Sequence, residues 1–131
     1  MSKDRPRSER FEQGLKARRT VLGDEYVDRS LAAADDFNWP MQVFATEVCW
    51  DGCWNRPGLD WRSRSLLNLG MIAALNRPAE LKLHIRGALK NGCSAEELQE
   101  VLLLLALYCG IPAANEAHRI AAEILREHKQ K

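Results

Sequence analysis

Two titratable residues in this sequence stand beside bulky apolar side chains, and both are candidates for proton transfer. His84 lies in the segment LKLHIRGAL, on or beside the apolar stripe of a predicted helix. Glu47 precedes Trp50 and Trp54 by three and seven residues, so an α-helix would place all three on one face. A carboxyl group beside two indoles is partly desolvated, a condition in which it can act near neutral pH. The structural alternatives are a core histidine bonded to a backbone carbonyl, and tryptophan anchors with Glu47 paired to an arginine.

Arginines are the candidate groups for a carboxylate substrate, because guanidinium binds carboxylate through two parallel hydrogen bonds. Arg62, Arg64 and Arg86 are available for this role or as partners of Glu47. We assign Arg64 and Arg86 to substrate binding, together with the indoles of Trp50 and Trp54.

Cysteines offer a competing redox interpretation. Cys49 and Cys53 are four residues apart on a predicted helix, where their Cβ atoms would be about 5–6 Å apart, whereas a disulfide needs about 3.8 Å. A zinc site would require two further ligands that no neighbouring motif supplies, so no metal site is predicted. Cys93 and Cys109 are expected to be small packing residues.

The elements that must position these residues are all helical. No period-two alternation is present, and the connections are short, so we predict an all-α domain of about seven helices. The clearest boundaries flank the segment from Ser94 to Gly110: Ser94 and Glu97 form a capping box, and Gly110 ends the helix. Because nearly its whole circumference is apolar, this helix is expected to lie in the middle of the protein.

Length and composition exclude several classes of function. The 131 residues predict a single domain, 1–131, with residues 1–7 as a disordered lead. A net charge of +1 gives no reason to expect a nucleic-acid or membrane partner. The amino terminus has no apolar signal region and no apolar run approaches eighteen residues, so we expect a cytoplasmic protein. Four tryptophans and the leucine-rich helix carry more apolar surface than a small monomer hides, which predicts a homo-oligomer.

Three segments together resemble the carboxymuconolactone decarboxylase family, in the branch named for the enzyme itself. They are EVCWDGCWNRPGLDWRSRSLLNLGMIAAL, ELKLHIRGALKNGCSAEEL and YCGIPAANEA, and the resemblance covers roughly residues 15 to 128. It implies the all-helical fold of alkylhydroperoxidase D-like proteins and a hexameric assembly, with His84 as the family histidine and Glu47 as the acid of its E-x-x-W segment. In the peroxidase branch a C-x-x-C pair precedes the histidine. Arg77 and Glu80 occupy those positions here, which favours the decarboxylase branch, although that branch generally lacks cysteines at positions 49 and 53.

The resemblance implies conversion of 4-carboxymuconolactone, or a related carboxylated lactone, to the enol-lactone of 3-oxoadipate and CO2. Loss of the carboxylate leaves a carbanion conjugated to the lactone carbonyl, so the substrate is its own electron sink and no cofactor is expected. We expect His84 to donate the proton with Glu47 as its partner, although the two roles can be exchanged. The alternative function is a thiol-dependent peroxidase or disulfide reductase that uses Cys49 and Cys53.

Overall fold

The computed structural model of the protein describes residues 5–129, and the regular structure among them is entirely helical. Seven α-helices are present in this range: α1 (Glu9–Leu22), α2 (Asp24–Ala32), α3 (Trp39–Phe44), α4 (Trp61–Ala74), α5 (Pro78–Lys90), α6 (Ala95–Cys109) and α7 (Ile111–Lys129). A π-helix, Ala45–Trp54, follows α3 directly. The predicted all-α class is therefore confirmed. Within the same range, no helix has the length and apolar character needed to cross a membrane.

Local cap chemistry determines where these helices begin and end. Asp60 accepts a hydrogen bond from the backbone N–H of the third residue of α4. Ser94 and Glu97 form the predicted capping box at the start of α6, with both reciprocal hydrogen bonds present. Gly92 and Gly110 follow α5 and α6 with φ of 92° and 100°, a left-handed region that glycine occupies without a steric penalty.

The described residues up to Leu59 form one compact unit. Its core is built on Phe11, Leu15 and Val27, and further apolar side chains from α1, α2 and α3 pack around them. Residues 1–4 of the predicted disordered lead lie outside the described range. Arg5, by contrast, pairs with Asp36 at 3.0 Å, and its guanidinium carbon lies 5.5 Å from the centroid of a tryptophan ring in α3.

The residues from Asp60 onward form a second compact unit. Its core joins the inner faces of α4, α5, α6 and α7, with these buried residues: Leu69, Ala73, Leu81, Ile85, Ala88, Cys93, Leu98, Leu105, Ala114, Ala117, Ala121 and Ile124. The prediction of one domain over 1–131 remains a prediction.

The expectation that α6 lies in the middle of the protein is wrong. Leu98 and Leu105 are buried, but Leu107 is 73% exposed and Tyr108 is 81% exposed. Within the second unit α6 packs against α4 and α7, and these two helices cover only part of its circumference. The apolar sequence of α6 therefore leaves an uncovered face.

Candidate active site

His84 is held by a side chain of the neighbouring helix. It projects from α5, and the amide nitrogen of Asn68 on α4 lies 2.8 Å from its Nδ1 atom. An amide nitrogen can only donate, so Nδ1 is the acceptor and the neutral ring carries its proton on Nε2. The imidazole is partly buried, and this burial lowers the pKa of His84 from 6.5 to about 4. At neutral pH His84 is therefore an uncharged ring with one N–H to donate.

Arg64 lies on the same side of α4 as Asn68, the residue that contacts His84. It precedes Asn68 by four residues, so the two side chains are neighbours along one face of the helix. Arg64 is partly buried. This places one predicted carboxylate-binding group one helical turn from the residue that contacts the imidazole.

Arg62 and Arg86 each form an ion pair within the second unit. Arg86 follows His84 by two residues, about 200° around α5, and is exposed. Its guanidinium pairs with Glu127 on α7 at 3.0 Å. Arg62 pairs with Glu97, which ties the start of α4 to the start of α6. Arg64 therefore shares a helix face with Asn68, whereas Arg86 projects from α5 about 200° away from His84.

Glu47 belongs to the first unit, where α1 holds both its carboxylate and its backbone. The Ser8 hydroxyl donates to the Glu47 carboxylate, and the same hydroxyl accepts a hydrogen bond from the backbone N–H of Phe11 as the N-cap of α1. Arg10 donates to the Glu47 carbonyl at 2.9 Å and pairs with Asp51 at 3.5 Å. Glu47 is therefore a positioned acceptor within its unit.

Trp50 and Trp54 lie on the buried face of the π-helix. Their ring centroids are 4.8 Å apart, and both residues are buried together with Thr46. The predicted shared face of Glu47, Trp50 and Trp54 assumed α-helical spacing. In the wider π-helix the buried positions recur every four residues, and partly buried Glu47 lies at the edge of that face.

Helix α1 approaches the backbone of the π-helix closely at Gly14. A Cβ atom added to Gly14 would lie 2.0 Å from the Thr46 carbonyl oxygen and 3.1 Å from the Asp51 nitrogen. In a π-helix the carbonyl oxygen of residue 46 and the N–H of residue 51 are the acceptor and donor of one backbone hydrogen bond. Because glycine has no Cβ, α1 can pack directly on the π-helix backbone at this point. The buried Thr46 hydroxyl has no hydrogen-bond partner among the described residues.

The cysteine pair does not have the properties of a peroxidase site. Cys49 and Cys53 are not joined in a disulfide, and both residues are exposed. The sulfur atom of Cys49 is partly desolvated, and this raises the pKa of the thiol above its ordinary value. The nearby Cys53 raises it further, to a smaller extent. A thiol with a raised pKa supplies less of the thiolate that reacts with peroxide. Cys93 is buried as predicted, whereas Cys109 is exposed, because it lies in the last turn of α6 beyond the packed part of the helix.

The residues that sequence reasoning missed are the ones that hold the candidates. Asn68 is an amide inside the apolar run LLNLGMIAAL, a local signal that its side chain has a specific partner. Ser8 is recognisable as an N-cap from its position before α1. Neither signal reveals which distant residue is bound.

Comparison with known proteins places these residues in a family. A profile of the carboxymuconolactone decarboxylase family matches residues 41–123. The 4-carboxymuconolactone decarboxylase of Acinetobacter baylyi is 40% identical over 119 residues, which cover 91% of this chain and 89% of the relative. The nitrosuccinic acid decarboxylase of Metarhizium robertsii is 43% identical over 117 residues, which cover 89% and 82% of the two chains. These relatives favour a carboxy-lyase over a thiol peroxidase. The resemblance predicted from the sequence is confirmed, and the chain belongs to the carboxymuconolactone decarboxylase family.

Proposed function

We propose that the protein is a cofactor-independent decarboxylase of 4-carboxymuconolactone or a related carboxylated lactone, with 3-oxoadipate enol-lactone and CO2 as products. The observation that carries the proposal is the 40% identity, over 91% of the chain, to a 4-carboxymuconolactone decarboxylase. The Asn68–His84 pair supports it, because a neutral ring N–H is suited to stabilise an anion that forms during the reaction.

The substrate names of the two relatives point to one reaction class. 4-Carboxymuconolactone and nitrosuccinic acid both carry two carboxylates. In each molecule one carboxylate is attached to a saturated carbon whose bonding electrons can pass to an acceptor group, directly to the nitro group or through the ring C=C bond to the lactone carbonyl. Cleavage of that C–C bond releases CO2 and leaves the electron pair on a lactone or nitro oxygen. A proton then adds to carbon. The site therefore needs a cation for the carboxylate that stays, a donor for the new oxyanion and a proton source.

Arg64 is proposed for the first of these tasks and His84 for the second. Arg64 lies on the same face of α4 as Asn68. Its planar guanidinium can bind a carboxylate through two parallel hydrogen bonds. A ring with a pKa of about 4 has little imidazolium at neutral pH. His84 is therefore better suited to donate a hydrogen bond from Nε2 to the oxyanion than to deliver a proton, which reverses the role favoured from the sequence.

Glu47 is proposed as the group that passes a proton to carbon, with the indoles of Trp50 and Trp54 as apolar contacts of the substrate. A carboxyl group can take a proton from water and transfer it, so each turnover consumes one solvent proton and restores the carboxylate. The hydrogen bond from Ser8 supports this role, because it gives the carboxylate a defined orientation. Arg86 remains a proposed substrate ligand, one that would have to exchange or share its pairing with Glu127.

An ultraviolet assay of 4-carboxymuconolactone turnover without any added cofactor tests the reaction, with nitrosuccinate as a second substrate. His84→Ala should lower turnover by about 10²–10³-fold, the usual cost of one oxyanion donor. His118→Ala, at an exposed histidine of α7, is the matched control and should retain the parent rate. Absence of turnover on both substrates would overturn the proposal.

The pH profile separates the two roles of His84. If the neutral ring is the active form, its contribution to turnover should stay constant from about pH 5.5 upward and fall only as the pH approaches 4. A proton-donating imidazolium would instead lose activity as the pH rises through its pKa. Comparison of the double variant with His84→Ala and Glu47→Gln tests coupling, since residues that act as one unit have strongly non-additive effects.

We further propose that the chain assembles as a homo-oligomer, as a hexamer, in the cytoplasm. The support is the exposed apolar face of the second unit, where Leu67, Met71 and Leu75 follow one side of α4, and Leu107 and Tyr108 lie on α6. Sedimentation should give about six times the 14.9 kDa of one chain. A mass near that of the single chain would refute the assembly.

Leu107→Glu should lower the sedimenting mass, because it puts a charge into the proposed interface. Gln99→Glu adds the same charge at an exposed position of the same helix and should leave the mass unchanged. An unchanged mass for both variants would remove this face from the interface.

A further inference from the structure

We propose that Asn68 is a positioning residue that fixes the tautomer of His84 with the proton on Nε2. The inference rests on the proposed function, in which His84 donates from Nε2 to the developing oxyanion. It goes beyond that function because it names the residue, on a different helix, that determines which ring nitrogen carries the proton. The carrying observation is the 2.8 Å approach of the Asn68 amide nitrogen to Nδ1.

The amide of Asn68 turns its nitrogen, rather than its oxygen, toward Nδ1, and this orientation selects one tautomer. The Asn68 nitrogen bears two N–H donors and no lone pair that it can offer, so a proton on Nδ1 would meet a proton of the amide. The same contact disfavours the imidazolium, which carries protons on both ring nitrogens. Asn68 thus assists burial in keeping the ring neutral, and it leaves Nε2–H as the ring donor.

Asn68 is placed well enough for this task. It lies in the middle of α4, between buried Ser65 and buried Leu69, and α4 packs along α5. Both Asn68 and His84 are partly buried. A hydrogen bond that is shielded from water and held by two packed helices keeps its geometry better than one on a loop.

The helices of the second unit that pack around this pair carry charged residues of both signs. Within the second unit, α5 packs against α4 and α7. On α4 the nearest charged residue along the chain is Arg64. On α7, Glu123 pairs with Lys82 at 3.4 Å and Glu127 pairs with Arg86 at 3.0 Å. Asn68→Asp would place a carboxylate directly against the imidazole.

Asn68→Asp tests the proposal because it changes a donor to an acceptor at nearly constant volume. The carboxylate should move the ring proton to Nδ1, raise the pKa of His84 by about one unit or more, and lower turnover by about 10²–10³-fold through loss of the Nε2 donor. Nitrogen NMR of the histidine ring distinguishes the two tautomers. Asn115→Asp, at an exposed position of α7, is the control and should leave the ring spectrum, the pH profile and the turnover as in the parent.

The unmodified protein supplies the decisive measurement even if a variant fails to fold. Its spectrum should show a protonated Nε2 and an unprotonated Nδ1 at neutral pH, and a proton on Nδ1 would overturn the proposal. An Asn68→Asp protein that keeps the parent tautomer and pH profile would overturn it as well. If the tautomer responds as expected while neither substrate is turned over, the assigned reaction fails and the role of Asn68 stands.

Discussion

Acidification from pH 7.5 to pH 5.0 is expected to destabilise the protein through His84 by about 2 kcal/mol. Burial lowers the pKa of this ring from 6.5 to about 4 in the folded protein, whereas the unfolded chain should return to a value near 6.5. Between these two pKa values the unfolded state binds a proton that the folded state does not. Above about pH 6.5 His84 causes no loss of folding stability. Below that pH the loss grows as the pH falls toward 4.

The magnitude follows from the difference between the two pKa values. About 2.5 units at 1.36 kcal/mol per unit give a maximum loss of about 3 kcal/mol, reached below pH 4. At pH 5.0 the ring is almost fully protonated in the unfolded chain and about one-tenth protonated in the folded protein. About 2 kcal/mol of the maximum is therefore lost at this pH, an order-of-magnitude value.

Urea unfolding at the two pH values, at one protein concentration, measures this effect. The parent and His118→Gln should lose the full amount, and His84→Gln should lose about 2 kcal/mol less, because glutamine has no proton to bind. Acidic groups contribute equally to all three proteins and cancel in the comparison. Equal pH dependence of the parent and His84→Gln would refute the reasoning.

Two further predictions concern the first unit. Gly14→Ala should destabilise the protein by about 1–3 kcal/mol, because its Cβ would lie 2.0 Å from the Thr46 carbonyl oxygen. Gly58→Ala is the control and should change the urea midpoint little, because its Cβ would meet nothing within 4 Å. Similar midpoints for the two variants would contradict the packing described for α1. Cys49→Ser combined with Cys53→Ser should leave turnover within several-fold of the parent, because decarboxylation to a conjugated anion has no step that needs a thiolate. Loss of activity in that double variant would return the redox function to consideration.

The helix ends could be predicted from the sequence because the interactions that make them are local. Ser94 and Glu97 are three residues apart and satisfy each other's backbone donors, and Gly110 needs no distant partner to adopt its φ of 100°. Such signals are contained in a window of a few residues. They gave the correct start of α6 and its correct end.

The π-helix and the partner of His84 could not be predicted in this way, because both depend on a second helix. The width of the π-helix is accommodated by Gly14 of α1, which lies more than thirty residues earlier in the chain. Asn68 and His84 meet only after α4 and α5 have packed. The periodicity of one helix contains no information about which side chain of another helix it will contact.

The π-helix makes chain length, as well as residue type, part of the structure of this segment. Ten residues form it, and its backbone bonds join residues five apart. Deletion of a single residue between Ala45 and Trp54 would allow the same segment to close as an α-helix with bonds four apart. That change would rotate Trp54 relative to Trp50 and move the Thr46 carbonyl from its place against α1. The exposed turn at 55–60 should accept a one-residue change that the helix before it would not.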